Sequence, residues 1–211
     1  MLGSSSNNAK QRQRKPPMSR LTTAFPLILS SLLSLPALAA DSHDQHGNHP
    51  AHVHGVGKLD VALEGNTLTL HLDSPLINLV GFEHAATATH DKDTVEAAAK
   101  MLRDVGRIFV TDPAAQCKPA EVKLESAVLP PALLGEKPTA APQAASSGDG
   151  HADLDSDFTL VCASPGALNA IDAGGLFRAF PGFHRLDVQL ATPKKQAAFQ
   201  LVPGNSLIPI N

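Results

Sequence analysis

The sequence predicts a single α+β domain with a mostly antiparallel sheet. Three observations support this: two segments in which apolar residues alternate on both sides of a short turn, two further alternating segments, and two segments with helix-start signals. Alternation with a period of two is typical of half-buried strands. Strands joined largely in hairpins and accompanied by a few helices are typical of α+β folds.

The first hairpin is predicted around the turn signal Gly65-Asn66. Folding at this turn brings the apolar residues of the two arms together on one face of the sheet. The expected pairs are Leu63 with Leu68, Val61 with Leu70, and Leu59 with Leu72. The same register places Asp60 opposite His71 on the other face.

A second hairpin is predicted near the C-terminus, with a four-residue loop at Thr192–Lys195. Its arms carry two apolar rows: Leu186, Val188 and Leu190, then Ala197, Phe199 and Leu201. Further strands are expected over residues 120–128 and 154–163, with Asp155 and Asp157 on the solvent side of the latter.

Two helices are predicted from their capping signals. The first begins with Asp93 as its cap, has Glu96 three residues later, and ends before Gly106. The second begins at Ser164-Pro165 and continues through "ALNAIDAGGLFRAF". The Pro-, Ala-, Ser- and Gly-rich residues 135–150 are expected to form a flexible loop inside the domain.

The N-terminal segment, residues 1–40, has the pattern of a secretory signal peptide: five Lys/Arg, an apolar stretch and the small-residue site Ala37-Leu38-Ala39. Met18 would give a leader of more ordinary length. Pro26 and several serines disfavour a membrane-spanning helix, so the mature protein is expected to be periplasmic and not membrane-spanning.

Residues from 41 onward contain all twenty acidic residues and only twelve Lys/Arg, which gives this part a formal charge of −8. An acidic chain without Trp or Tyr is a poor candidate for nucleic-acid binding and suits a cation partner better. Cys117 and Cys162 are expected to form a disulfide in an exported protein, worth about 4 kcal/mol in the chain-entropy estimate. The alternative, that both cysteines bind a metal, is less favoured because neither lies in a C-x-x-C pair.

Five of the ten histidines lie within "DSHDQHGNHPAHVHG", residues 41–55. Gly47 and Pro50 disfavour a helix there. Residues 41–51 are therefore expected to be a mobile arm that adds secondary metal-binding capacity through His43, His46 and His49.

His52 and His54 are expected to begin the folded domain, residues 52–211, and to form the core of a metal site. Side chains at i and i+2 project from one face of an extended chain, so two imidazoles could converge on one ion. Zinc prefers four tetrahedral ligands, so further donors are needed. The candidates are Glu83, His84, His151 and Asp153. His71 could also contribute, or it could form an ordinary surface pair with Asp60.

No enzyme signature is present: the chain lacks G-x-S-x-G, H-E-x-x-H, P-loop and dinucleotide-binding motifs. The chain is therefore not expected to be an enzyme. An EF-hand starting at Asp153 is excluded because its sixth and twelfth positions would hold Phe158 and Ser164.

The combination of H-x-H-G at residues 52–55, G-F-E-H at 81–84 and H-x-D at 151–153 resembles the ZrgA-type zinc-uptake family, and the resemblance covers nearly the whole mature chain. It implies a periplasmic protein that binds zinc and assists an ABC-type zinc importer. It also implies metal binding by the matching residues, namely His52, His54, His84, His151 and Asp153. Relatives often carry a histidine- and acid-rich central loop, whereas residues 135–150 contain no histidine.

Two functions follow from the sequence. The first is an accessory protein that captures or buffers Zn²⁺, with Ni²⁺ and Cu²⁺ as other ions that nitrogen ligands bind. The alternative is a periplasmic protein-interaction module without a metal, in which the histidine-rich tail is incidental. A zinc hydrolase is disfavoured because no general base can be named.

Overall fold

A computed structural model describes residues 52–137 and 152–210, and it shows the α+β fold that the sequence predicts. The strands of this part are β1 (Val56–Glu64), β2 (Thr67–Pro75), β3 (Val110–Thr111), β4 (Cys117–Glu125), β5 (Asp153–Cys162), β6 (Ala170–Asp172), β7 (Arg185–Ala191), β8 (Gln196–Leu201) and β9 (Leu207–Pro209). Six of them form the main sheet in the order β4-β5-β2-β1-β7-β8, and β3, β6 and β9 form a small second sheet.

The helices of the described residues are α1 (Leu76–Val80), α2 (Thr89–Arg103), α3 (Val105–Ile108) and α4 (Gly174–Ala179), and 3-10 turns cover Pro113–Ala115, Pro131–Leu134 and Pro165–Ala167. None of these helices is long and apolar enough to cross a membrane.

The predicted start of α2 is wrong, because the helix begins at Thr89 and not after Asp93. Asp93 thus lies inside the helix, where the neighbouring Thr94 hydroxyl donates to the His90 carbonyl at 2.9 Å. The helix ends at Arg103, and Gly106 lies within the short α3 that follows.

Both predicted hairpins are confirmed, register included. In the first, Leu63 pairs with Leu68 and Asp60 lies opposite His71. In the second, Leu190 pairs with Ala197 and the loop spans Thr192–Lys195. Since strands alternate their side chains, each hairpin presents its leucines and valines to the core and its polar residues to the outer face.

A parallel pairing between β1 and β7 joins the two hairpins into one sheet, with Lys58 opposite Asp187. Parallel neighbours require a long crossover, here the whole chain from β2 to β7. The strand β5 then pairs with β2, and its Asp155 and Asp157 lie on the solvent side as predicted.

The strands β4 and β5 are also joined by the predicted disulfide, which is confirmed: Cys117 and Cys162 lie directly opposite each other and are bonded. Pro119 lies in β4, where the register shifts. This position is tolerated because β4 is an edge strand of the main sheet.

The second predicted helix is wrong in extent. Pro165 does begin a helical turn, but the chain then forms β6 before α4 starts at Gly174. The Asp172 carboxylate accepts hydrogen bonds from the Ser206 hydroxyl at 2.6 Å and the Gly174 N–H at 2.7 Å. These two donors lower the pKa of Asp172, and they fix the break between strand and helix.

The first residues of the predicted central loop are held against the domain. The Glu136 carboxylate accepts hydrogen bonds from Arg103 at 2.6 Å and from the Leu124 N–H at 2.9 Å. The remaining residues of that loop lie outside the described part of the chain. So do the predicted signal peptide (1–40) and the histidine-rich arm (41–51).

Thiol titration tests the disulfide in the exported protein. The unfolded, unreduced protein should contain no free thiol, and reduction should lower the free energy of unfolding by about 2–4 kcal/mol, because the unfolded chain regains the entropy of an open loop. Ellman titration and urea unfolding measure the two effects. Two free thiols before reduction would contradict the assignment.

Candidate metal centre

The segment that precedes β1 turns sharply between the two histidines and the strand. Gly55 has a left-handed conformation, with φ of 84°, and the Val56 N–H donates to the Val53 carbonyl at 3.0 Å. His52 and His54 are therefore separated from β1, which begins at Val56, by a turn. The glycine, which adopts positive φ without a steric cost, redirects the chain at this point.

This turn is fixed by the side-chain amide of Asn78, a residue of α1 that is only 3% exposed. Its oxygen accepts a hydrogen bond from the Gly55 N–H at 2.7 Å. Its nitrogen donates to the Val56 carbonyl at 3.0 Å and to the Ser74 hydroxyl at 3.2 Å. The amide thus binds the H-x-H-G segment to the end of β2.

The chain before β7 closes the same turn from another side. The His184 N–H donates to the Gly55 carbonyl at 2.7 Å. Gly182 packs so closely on α1 that a Cβ at this position would lie 2.4 Å from the Asn78 carbonyl oxygen. The turn that follows His52 and His54 is therefore held by two separate parts of the chain.

Three donor side chains converge beside this turn: His52, Asp73 and Asp153 each present one ligand atom, and these atoms lie within 4.8 Å of one another. The His52 Nδ1 atom lies 2.6 Å from the Asp153 Oδ1 atom. The exposed fraction of the side chain is 17% for His52 and 25% for both Asp73 and Asp153, so the cluster is partly shielded from water.

Sheet register brings the two carboxylates together. Asp73 lies opposite Asp155 in the β2–β5 ladder, and Asp153 lies opposite Pro75, two residues further along β2. Of these donors, His52 and Asp153 were predicted and Asp73 was missed. The sequence signal for Asp73 was its position two residues after His71, which places both side chains on the outer face of β2.

The other predicted ligands have different surroundings. His54 lies 3.0 Å from the Glu83 carboxylate through its Nε2 atom. His84 stacks on Phe82, with ring centroids 4.6 Å apart, and its Nδ1 donates to the Ala85 carbonyl at 3.1 Å. In that tautomer the Nε2 atom of His84 is the one that can ligate a metal. Metal binding by His54, Glu83 and His84 stays a prediction.

His151 and the arm histidines His43, His46 and His49 lie outside the described residues. His71 does not pair with Asp60, its register neighbour. Instead its Nδ1 atom lies 2.7 Å from Asp157 across the β2–β5 ladder.

The outer face around the cluster is strongly acidic. Burial raises the pKa of Asp155, and the neighbouring carboxylates of Asp73 and Asp153 raise it further. Burial alone would lower the pKa of His71, but the hydrogen bond and charge of Asp157, with the charges of Asp155 and Asp60, raise it. A surface that favours protonation in this way also attracts other cations.

The donor set of one imidazole and two carboxylates fits zinc, which binds nitrogen and oxygen ligands at about 2.0–2.2 Å. Calcium prefers six to eight oxygen ligands and fits this set poorly. Three protein ligands leave a fourth tetrahedral position for a further side chain or for water.

One family model matches residues 51–210 of the chain, and its description is "ZrgA family zinc uptake protein". The match spans the described sheet and the three donors of the cluster. No curated protein matches the chain.

Replacing Asn78 with alanine tests the role of the buried amide. The change leaves the Gly55 N–H and the Val56 carbonyl without their partner, so it should lower the free energy of unfolding by about 2–3 kcal/mol. Urea unfolding measures the loss. The matched control is the exposed Asn205→Ala, which should change stability by less than about 0.5 kcal/mol. Equal effects of the two substitutions would contradict this role.

Proposed function

Because this chain belongs to the ZrgA family of zinc uptake proteins, we propose that it is a periplasmic accessory protein that captures or buffers zinc for an ABC-type importer. Zinc is its cargo in this proposal. The family match supports the uptake role; the periplasmic location and the importer are parts of the proposal.

The observation that carries the proposal is the convergence of His52, Asp73 and Asp153 beside the turn fixed by Asn78. Ligands that folding has already placed lose little conformational entropy when an ion binds. The acidic outer face around them raises the local concentration of cations. The site therefore combines ordered donors with an attractive field.

We assign the fourth ligand to His151, which the sequence also predicts. It precedes Asp153 by two residues in the sequence. Its neighbour Ala152 is anchored, because the Ala152 carbonyl accepts a hydrogen bond from the Leu76 N–H at 2.7 Å. His54, Glu83 and His84 form a neighbouring group of donors that we assign to secondary binding.

The disulfide supports an exported protein, because such bonds persist in oxidising compartments. The proposal is of a binding protein and not an enzyme. It uses both carboxylates of the cluster as ligands, and it gives no residue the role of a general base.

Single substitutions in the cluster test the site. His52→Ala and Asp73→Asn should each weaken zinc binding by at least about tenfold, the smallest loss typical of changes around a metal site. His54→Ala should cost less, because His54 lies with Glu83. Imidazole must be neutral to ligate zinc, so wild-type binding should weaken between pH about 7.5 and about 5.5. Titration against a competing chelator measures all of these affinities.

The matched control for these substitutions is His90→Ala, because His90 is an exposed histidine of α2. It should leave zinc affinity unchanged. Equal losses from His52→Ala and His90→Ala, or binding that does not depend on pH, would refute the site. If equilibrium dialysis finds no zinc bound at all, the protein-interaction module becomes the better function.

Deleting residues 41–51 tests the histidine-rich arm. The variant should bind fewer zinc ions, because His43, His46 and His49 are lost, yet it should keep the tightest site, whose donors lie in the folded domain. Equilibrium dialysis followed by metal analysis gives both the number of ions and the affinity. Loss of the tight site would show that the arm supplies the primary ligands.

A further inference from the structure

One donor of the cluster already has a cation beside it. The Lys58 ammonium lies 3.2 Å from the Asp73 Oδ2 atom, and the two residues are direct partners in the β1–β2 ladder. The Lys58 side chain is 49% exposed. Lys58 is therefore paired with a proposed zinc ligand on the side open to solvent. A zinc ion would have to compete with this lysine for Asp73.

We propose that Lys58 is a resident counter-cation of the site, which zinc displaces from Asp73 when it binds. The inference rests on the proposed zinc function and concerns the same cluster. In the zinc-free protein the ammonium reduces the repulsion between the carboxylates of Asp73 and Asp153. In the zinc-bound protein the ion takes over this role and repels the ammonium.

The structure has room for the displaced side chain. On the far side of β1 from Asp73, an open cavity of about 480 Å³ is lined by Lys58, Asp187, Gln189 and Gln200. Lys58 is the direct register partner of Asp187 in the β1–β7 pairing. A rotation of the flexible lysine stem across β1 thus moves its charge from one carboxylate towards another.

Asp187 can receive this charge, although it already has partners. Its carboxylate binds the Arg185 side chain at 3.0 and 3.2 Å and accepts a hydrogen bond from the Gln200 amide at 2.9 Å. The displaced ammonium would therefore lie at the edge of an existing polar network and in contact with water. Its new position is less strongly paired than its position beside Asp73.

The exchange suits a protein that must release its cargo. A positive charge that zinc must displace from Asp73 weakens zinc binding, and its return to Asp73 stabilises the emptied site. An ordinary cross-strand ion pair would weaken zinc binding through its charge but would stay on Asp73 when zinc binds. The two interpretations therefore differ in whether the reactivity of the Lys58 amine changes when zinc binds.

Replacing Lys58 with glutamine should tighten zinc binding by about fivefold or more, since a unit charge a few ångströms away is worth roughly this factor even in a water-like dielectric. Lys58→Arg keeps the charge and should leave affinity within about twofold of wild type. The matched control is Lys123→Gln, which removes another exposed lysine that pairs with Glu125 on β4, at 3.0 Å. It should leave zinc affinity unchanged.

Amine labelling of the wild-type protein gives a second readout that does not depend on any variant. Zinc should increase the acetylation rate of Lys58 and leave that of Lys123 unchanged, because only the former loses its carboxylate partner. Peptide mass spectrometry measures both rates in one sample. A lysine with a purely structural role would react equally with and without zinc.

The outcomes separate the two proposals. If the wild-type protein binds zinc and His52→Ala weakens binding, the function stands. If Lys58→Gln then binds no more tightly and labelling is unaffected by zinc, the counter-cation role is refuted on its own. If the wild-type protein binds no zinc, both proposals fail together.

Discussion

The buried amide of Asn78 is the contact on which the site depends. Its oxygen and nitrogen bind both backbone groups of the turn that follows the histidines. A buried amide is costly unless it is hydrogen-bonded, and here each bond also satisfies a group of another segment. The same residue belongs to α1, which continues directly from β2, so the turn and the strand that carries Asp73 are placed by one element. The position of His52 relative to Asp73 follows from this link.

The second constraint is the alternation of the sheet. Because β2 and β5 pair without a shift, their leucines and Phe158 lie in the core and their aspartates share the outer face. Burial raises the pKa of Asp155, and repulsion from the neighbouring carboxylates raises it further. The fold tolerates this repulsion because neighbouring groups offset it: the His71 ring lies 2.7 Å from the Asp157 carboxylate, and the Lys58 ammonium lies beside Asp73. The strand register therefore places the carboxylates on one face. Because they lie close together there, positive charge beside them is stabilising.

The sequence predicted the elements that local chemistry determines. Gly65-Asn66 and Thr192–Lys195 set the turn of each hairpin, and alternation then fixed the pairs. The sequence could not predict the parallel β1–β7 pairing, because that contact joins residues more than a hundred positions apart. Asp73 was missed for the same reason: its role depends on β5. The turn that separates His52 and His54 from β1 was not predicted, because the conformation of Gly55 is held by Asn78, a distant partner.

The chemistry of the donors suits the proposed function, in which zinc is a cargo that must be released. The softest zinc ligands in the described residues, Cys117 and Cys162, are withdrawn from metal binding by their disulfide. Asp153 begins β5 and Cys162 ends it, and Cys117 lies beside Cys162 at the start of β4, so the length of β5 separates the cysteines from the cluster. The donors that remain, an imidazole and two carboxylates, bind zinc less firmly than thiolates do. Protons compete for the imidazole, and Lys58 competes for Asp73. In the proposed function, capture depends on the order of the cluster, and release depends on these competing cations.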